Sequence, residues 1–211
     1  MANANRVNGF RPVKHISGAP YNGQANIYEV AAGETIPVFV GDLVLLSNSA
    51  ATGGVPAVEA PVAAAATSGN YVGAVVGIIN TKLDTLDGKM STGSISLDTP
   101  VYRAASTKTF VLVADDPGLI FEAQADASVA LASVGLNVGV VEGDGSASLG
   151  STTTGASGMQ VDASSVATTN SLPLQIVAFP KRPDNEPAAT YNKVHVRINT
   201  HALSPSGVTA V

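Results

Sequence analysis

Side chains that are common in active sites gather near the start of the chain, in the stretch VKHISGAPYNGQ at residues 13–24. Lys14, His15, Ser17 and Tyr21 are types that can act as base, nucleophile or acid. A serine nucleophile, however, needs a histidine that is itself oriented by a carboxylate. The stretch contains no acidic residue, and no GxSxG turn follows a strand-like segment anywhere in the chain. Residue types alone therefore favour no catalytic site here.

The other candidates for chemistry are equally weak. Besides His15, the only histidines are His195 and His201, and no HExxH motif or acidic ligand loop accompanies them. The glycine-rich EGDGSASLG at 142–150 could cradle a phosphate only if a helix began directly after it, and STTTGASG cannot begin one. We therefore predict no catalytic, metal-binding or cofactor-binding residue and no enzymatic activity. A hydrolase whose site is assembled from distant residues stays open as an alternative.

The composition is that of a chain with few charges and small side chains. Charged residues make up 13% of the 211 residues, about half of the roughly 25% that is usual, and aromatic residues only 5%. Cysteine is absent, which excludes disulfides and thiolate metal sites. The start of the chain lacks the apolar core of a signal peptide, and no run reaches the ~18 apolar residues of a membrane span. We expect a soluble protein made in a cytoplasm, with no membrane partner.

Charge is distributed unevenly along the chain. Arg6, Arg11 and Lys14 precede any acidic residue, whereas 8 basic and 16 acidic residues follow position 28. A basic start on an acidic body is typical of a segment that binds a partner. Three cations in this segment are too sparse for a nucleic-acid surface, which needs a denser basic patch with aromatic or groove-fitting elements. The expected partner is a protein surface and not nucleic acid.

The elements that must position these residues are short strands. Residues 1–26 are polar, rich in Gly and Asn, and show neither a strand nor a helix period, so we interpret them as an extended arm. Apolar runs between turn residues then predict strands at 27–30, 36–46, 71–79, 100–104, 109–114, 119–125, 136–142, 172–179 and 193–199. In the last of these Val194, Val196 and Ile198 alternate with polar residues, which predicts a half-buried strand.

Little of the chain has a helical pattern, and long stretches have no regular pattern. Only 125–134 could form a helix, of about two to three turns at most. We expect 47–70, 82–98 and 143–170 to be surface loops or irregular hairpins. The predicted fold is mainly β, a β-sandwich or barrel-like body with an extended N-terminal arm, long loops and at most one short helix.

The chain is expected to divide into two parts. The arm is 1–26, and 27–211 forms a single β-rich domain or two small β subdomains. Because the arm carries no core residue in this interpretation, deletion of residues 1–24 is expected to abolish partner binding and to leave the body folded.

Three longer phrases occur in order along the chain. They are FRPVKHISGAPYNGQ at 10–24, PVYRAASTKTFVLVADDPGLIFEAQAD at 100–126 and GMQVDASSVATTNSLPLQIVAFPKRPDNEPAATYNKVHVRINTH at 158–201. On these phrases the chain resembles the capsid cement or head-decoration proteins of tailed bacteriophages, a family of virion structural proteins. The resemblance extends from about Gly9 to His201, although 47–70 and 82–98 carry no family phrase.

The resemblance implies a β-rich protein bound to the outside of an assembled icosahedral shell, where it clamps neighbouring subunits of the major capsid protein. Such proteins are commonly homotrimers at threefold or quasi-threefold positions, and dimers in some phages. The implied location is the outer surface of the capsid in the virion, after synthesis in the host bacterial cytoplasm. The phrases contain no catalytic signature, so the resemblance implies no cofactor.

The same resemblance gives the N-terminal arm a role in binding the capsid. Arg6, Arg11 and Lys14 are expected to pair with acidic patches on the capsid protein, and each exposed pair contributes only ~0–1 kcal/mol. Apolar burial must then supply most of the affinity, at ~25 cal/mol per Å² removed from water. The arm's candidates for that burial are Phe10, Val13, Ile16 and Tyr21.

A second segment, FPKRPDNEPAATYN at 179–192, is open to two interpretations. Its three prolines exclude it from the interior of a strand ladder, and Lys181 and Arg182 give it positive charge beside Asp184 and Glu186. It is either a second capsid-contact loop or a solvated connection between the last two strands.

Two functions are expected from the sequence. The first is that of a capsid cement (decoration) protein, which binds the outer surface of the phage head and stabilises contacts between major capsid protein subunits. The alternative is a head fibre or another surface β protein of the virion that binds a host glycan. Cement covers the lattice in high copy number, whereas fibres project and occupy few sites.

Overall fold

The computed structural model describes residues 3–47, 54–62, 66–79, 101–142 and 150–204. Within these residues the fold is mainly β, with eleven strands and a short 3₁₀ turn at Leu131–Ser133. In chain order the strands are β1 (Arg11–His15), β2 (Asn26–Val30), β3 (Leu43–Leu46), β4 (Ala57–Glu59), β5 (Tyr71–Ile79), β6 (Thr109–Ala114), β7 (Leu119–Gln124), β8 (Asn137–Val141), β9 (Gln160–Ala167), β10 (Leu174–Ala178) and β11 (Lys193–Ile198). The prediction of a mainly β body with at most one short helix is confirmed.

Five of these strands close into a barrel in the order β2-β4-β3-β5-β6. All neighbours in it are antiparallel except β2 and β4. Side chains alternate along a strand, so each strand turns one set towards the barrel interior. That interior is filled mainly by valines, among them Val30, Val44, Val72, Val111 and Val113. Branched side chains of this size suit the interior of a small barrel.

The other six strands form an antiparallel sheet in the order β1-β7-β11-β10-β8-β9. Its inner face packs against the barrel. The shared core contains Phe121 and Val196 from the sheet together with Leu43 and Tyr71 from barrel strands. Because one apolar cluster includes residues of both sheets, burial of this cluster holds the barrel and the six-stranded sheet together.

Strand β11 has the alternation that the sequence predicts. Val194, Val196 and Ile198 are buried, whereas His195 and Arg197 between them are only half-buried. The polar residues of β11 therefore lie on the outer face of the six-stranded sheet, opposite to the core.

Three strands have no counterpart in the sequence-based prediction. β4 lies in the predicted loop 47–70 and β9 in the predicted loop 143–170, while β1 lies in the predicted arm. β1 contains Pro12, which an edge strand tolerates, and β9 is polar with an irregular register against β8. The third predicted loop, 82–98, lies outside the described residues.

Two predicted strands are shorter in the structure. Of the predicted strand 36–46, only Leu43–Leu46 is regular, and the part before it contributes isolated bridges at Val38 and Val40. The predicted strand 100–104 contributes a single bridge, from Arg103 to Val38. Isolated bridges of this kind fix loops of the barrel without extending its ladders.

The one stretch that could form a helix, 125–134, contains no α-helix. Only Leu131–Ser133 forms a 3₁₀ turn, because the backbone of Val129 bonds to the side chain of Asn192 and not to a helical neighbour. The amide of Asn192 donates to the Val129 carbonyl at 2.9 Å and accepts from its N–H at 3.2 Å. Helices of the length and hydropathy that a membrane span needs are absent from the described residues.

The N-terminal segment that the sequence predicts as an arm is packed along the body. Its residues Arg11–His15 form β1, and Phe10 is buried in the shared core with 1% exposure. Gly9 has a φ of +63°, and an added Cβ there would lie 2.5 Å from the carbonyl oxygen of Gly41. Deletion of residues 1–24 would remove part of both the sheet and the core. This packing therefore does not support the expectation that the truncated body folds.

Candidate functional site

A groove of about 460 Å³ lies on the outer face of the sheet, beside the N-terminal segment. The charged residues that line it, which define the charged groove, are Arg6, Arg11, Glu122, Arg182, Asp184 and Lys193. Four cations and two carboxylates leave a formal excess of two positive charges in the groove, whereas the whole chain carries −5. The charged groove is therefore opposite in sign to the rest of the molecule.

Strand register places the floor of the charged groove. Arg11 on β1 lies opposite Glu122 on β7, and Glu122 lies opposite His195 on β11. One row across three strands therefore carries a cation, a carboxylate and an imidazole. Directly opposed residues on adjacent strands have Cβ atoms only ~4.5–5.5 Å apart, so these side chains share one local environment.

Ion pairs occupy both carboxylates of the charged groove. Glu122 accepts a hydrogen bond from Arg182 at 2.9 Å and lies 3.4 Å from Nε2 of His195. Asp184 pairs with Arg182 at 3.2 Å and with Lys193 at 2.8 Å. Hydrogen bonds from His195 and then Arg182 lower the pKa of Glu122, and the hydrogen bond from Lys193 lowers the pKa of Asp184.

Two of the four cations of the charged groove take no part in these ion pairs. Arg6 and Arg11 are exposed, and neither forms an ion pair with any residue in the described part of the chain. A guanidinium presents a planar fork of donors that matches the two oxygens of a carboxylate or phosphate. The open end of the charged groove can therefore bind an anionic group.

The first residues of the chain form one wall of the charged groove. The Asn3 side chain donates to the carbonyls of Glu186 and Thr190, and its oxygen accepts from the Glu186 N–H at 2.6 Å. The side chain of Gln124 accepts from the Arg6 backbone N–H at 2.8 Å and donates to Asn5 at 2.7 Å. The sequence reads here only as polar and rich in Asn, so it gives no signal of these contacts.

The segment between β10 and β11 forms another wall, through Arg182 and Asp184. The buried Asn185 side chain donates to the carbonyls of Pro180 and Lys193, and its oxygen accepts from the Lys193 N–H at 2.7 Å. These three bonds close the segment on itself and hold Arg182 and Asp184 over the sheet. The segment is thus an ordered wall of the charged groove, held by bonds within it and by bonds from Asn3.

The predicted contact residues are distributed between the charged groove and other places. Arg6, Arg11 and Arg182, from two segments far apart in the sequence, line it together. Lys14 and Lys181 are exposed cations outside its lining.

The predicted apolar contacts differ in exposure. Phe10 is part of the core, so it cannot contact a partner in this conformation. Val13 and Tyr21 are half-buried, and the Tyr21 hydroxyl donates to the Gln24 carbonyl at 3.0 Å. Ile16, with 59% exposure, is the predicted apolar contact whose side chain is most available.

Of the side chains at 13–24 that are of types common in active sites, His15 and Tyr21 line a separate cavity of about 550 Å³, whereas Lys14 and Ser17 do not. In it His15 lies 3.4 Å from Asp116, while Asp115 accepts hydrogen bonds from Tyr28 at 2.6 Å and from Asn26. Burial, followed by the bond to Asp115, raises the pKa of Tyr28. No serine or threonine hydroxyl is among the described residues that line this cavity.

Metal-binding geometry is also absent from the described ranges, in which no three His, Cys, Asp or Glu side chains are grouped to hold an ion. Sequence reasoning identified three of the four cations of the charged groove from their charge and position. It missed Glu122 and Lys193, whose contribution depends on strand register. Comparison of the chain with protein-family models, with curated proteins and with solved structures finds no match.

Proposed function

We propose that this protein is a capsid decoration protein, which binds the outer surface of a phage head and stabilises contacts between major capsid protein subunits. The proposal rests on the resemblance of three ordered phrases to that family. The structural observation that supports it most is the convergence of Arg6, Arg11 and Arg182 in one open groove. The sequence had marked these residues as contacts from two separate segments.

The ordered walls of the charged groove suit such a role. Side chains that are already fixed before binding lose less conformational entropy when a partner is bound. Gln124 and Asn185 fix the walls through buried or partly buried hydrogen bonds, and Asn3 does so through exposed ones. Many copies on one lattice, as the resemblance implies, would then make a modest affinity at each site sufficient.

The test adds the purified chain to phage heads that lack it. We expect it to bind at a copy number comparable with that of the major capsid protein, and the decorated heads to release their DNA at a higher temperature than bare heads. Quantitative mass spectrometry of washed heads gives the copy number, and a dye that binds released DNA gives the temperature. Binding at only a few positions on each head would instead favour the fibre alternative, and no binding would refute both.

The resemblance also implies an oligomer, commonly a homotrimer. Mass measurement of the free protein and of protein released from heads, by light scattering after size exclusion, determines the number of copies in each state. A trimer in either state agrees with the proposal, whereas a monomer in both would restrict it to single-copy binding at each site.

A further inference from the structure

The identity of the partner rests on the proposed function. The chemistry of the charged groove indicates, in addition, which kind of chemical group the groove binds. We infer that it takes an acidic segment of a partner protein, with Arg6 and Arg11 as the groups that bind the carboxylates. The internal carboxylates are already occupied, since Glu122 pairs with Arg182 and Asp184 with Lys193. The two arginines therefore provide binding capacity that the chain does not use itself.

The positions of these groups favour separate carboxylates over a continuous anionic strand. Glu122 and Asp184 belong to the same lining as the cations, beside Arg182 and Lys193. A nucleic-acid backbone carries a charge on every nucleotide, so it would meet both carboxylates as well as the arginines. Among the described residues that line the charged groove none is aromatic, so bases have no ring on which to stack. An acidic polypeptide can instead place its carboxylates at the arginines and neutral residues beside Glu122 and Asp184.

The surroundings also favour a polypeptide of extended shape. Residues of strands β1, β7 and β11 form the floor of the charged groove, and Asn8 and Gln124 line it with polar groups. The Gln124 side chain is already used by Asn5 and Arg6, which leaves its position fixed. A segment that lies along this floor meets Arg6 and Arg11 without any rearrangement of the sheet.

The experiment uses the full chain and a fluorescent peptide of alternating Glu and Gly, with a Gln–Gly peptide and a single-stranded oligonucleotide as comparison probes. Fluorescence anisotropy at low salt gives the affinities. We expect the Glu peptide to bind more tightly than both other probes. The double variant Arg6→Gln/Arg11→Gln should lose on the order of tenfold in affinity, because two charge-assisted pairs are removed.

The matched control is Lys108→Gln, which, like the single variant Arg11→Gln, removes one positive charge from an exposed side chain, but at a position outside the charged groove. It should change the affinity by less than about twofold, since only long-range attraction is altered. Thermal unfolding of the three variants checks that they fold, which their exposure predicts. Equal losses in Arg11→Gln and Lys108→Gln, or tighter binding of the oligonucleotide, would overturn the inference. So would failure of the Glu peptide to bind.

The peptide assay contains no phage heads, so its outcome is independent of the proposed function. Peptide binding without head binding would keep the inference and refute the decoration role. Head binding that is unaffected by Arg6→Gln/Arg11→Gln, with no peptide binding, would keep the role and refute the inference.

Discussion

At the scale of single residues, Arg103 organises one end of the barrel. Its side chain is 1% exposed and donates four hydrogen bonds of 2.7–2.8 Å to the carbonyls of Ala31, Glu34, Ile36 and Thr107. Burial lowers the pKa of its guanidinium, yet an arginine in a protein stays protonated. A buried cation is tolerated because each of these donors meets a backbone carbonyl.

Replacement of Arg103 by Met should therefore destabilise the fold strongly. The substitution keeps a long apolar stem but removes four hydrogen bonds, and only the Ala31 and Glu34 carbonyls keep a backbone donor among the described residues. We expect a loss of about 3 kcal/mol in the free energy of unfolding. Urea unfolding followed by circular dichroism measures it. Lys181→Met, at an exposed position, should change the same quantity by less than about 0.5 kcal/mol. Equal effects of the two substitutions would contradict the assigned role.

Glu142 is a second residue whose environment has a measurable consequence. It is 9% exposed, and its two carboxyl oxygens have no hydrogen-bond partner within the described ranges. Burial raises its pKa from 4.5 to about 8. The folded state therefore binds a proton that the unfolded state has released, so this group makes the fold less stable as pH rises from about 4.5 to about 8.

The substitution Glu142→Gln should remove this dependence. At about pH 9 we expect the variant to melt several degrees above the native chain, and at about pH 5 the two should melt at nearly the same temperature. Differential scanning calorimetry at the two pH values measures both differences. A difference that does not change with pH would show that the carboxyl group is not buried in its neutral form.

At the scale of elements, apolar content decides which strands local sequence predicts. The bounds of β5 and β6 agree with the predicted strands 71–79 and 109–114, because both are rich in Val and other apolar residues. β1 and β9 are polar, and each is recognisable as a strand only through its pairing with β7 or β8. That pairing joins segments far apart in the sequence, and a local pattern does not contain it.

The sequence predicts both Phe10 and Ile16 as apolar contacts with a partner, but in the structure Phe10 is buried in the shared core and Ile16 is exposed. Phe10→Ala should cost about 3–5 kcal/mol in the free energy of unfolding, because it opens a cavity in the shared core. Ile16→Ala, at 59% exposure, should cost less than about 0.5 kcal/mol. Chemical denaturation of both variants checks the pair. A stable Phe10→Ala variant would mean that this segment is not bound to the body in solution.

The candidate site was predictable to the extent that it depends on charge. Arg6, Arg11 and Arg182 stand out in a chain with few cations. Their convergence depends on the β1–β7–β11 register and on the side chains of Asn3 and Asn185, and short polar residues of this kind leave no periodic signal.

At the scale of the whole molecule, the N-terminal segment connects both sheets. The Phe10 N–H donates to the Gly41 carbonyl beside the barrel at 2.8 Å, and β1 then joins the six-stranded sheet. Because neither Gly9 nor Gly41 has a side chain, their backbones can approach closely at the point where the N-terminal segment passes from the barrel to the six-stranded sheet. The charged groove is therefore built on a segment that is itself fixed to both bodies.

The contacts of Asn3 also set an order of events during protein synthesis. Its partners are the backbone groups of Glu186 and Thr190, more than 180 positions later in the chain. Strand β7 likewise pairs with β11, which follows it in the chain, so β7 has this neighbour in the sheet only after β11 has been synthesised. Asn3 thus meets its partners only after the residues up to Thr190 have been synthesised, so the charged groove forms late in the folding of the newly made chain.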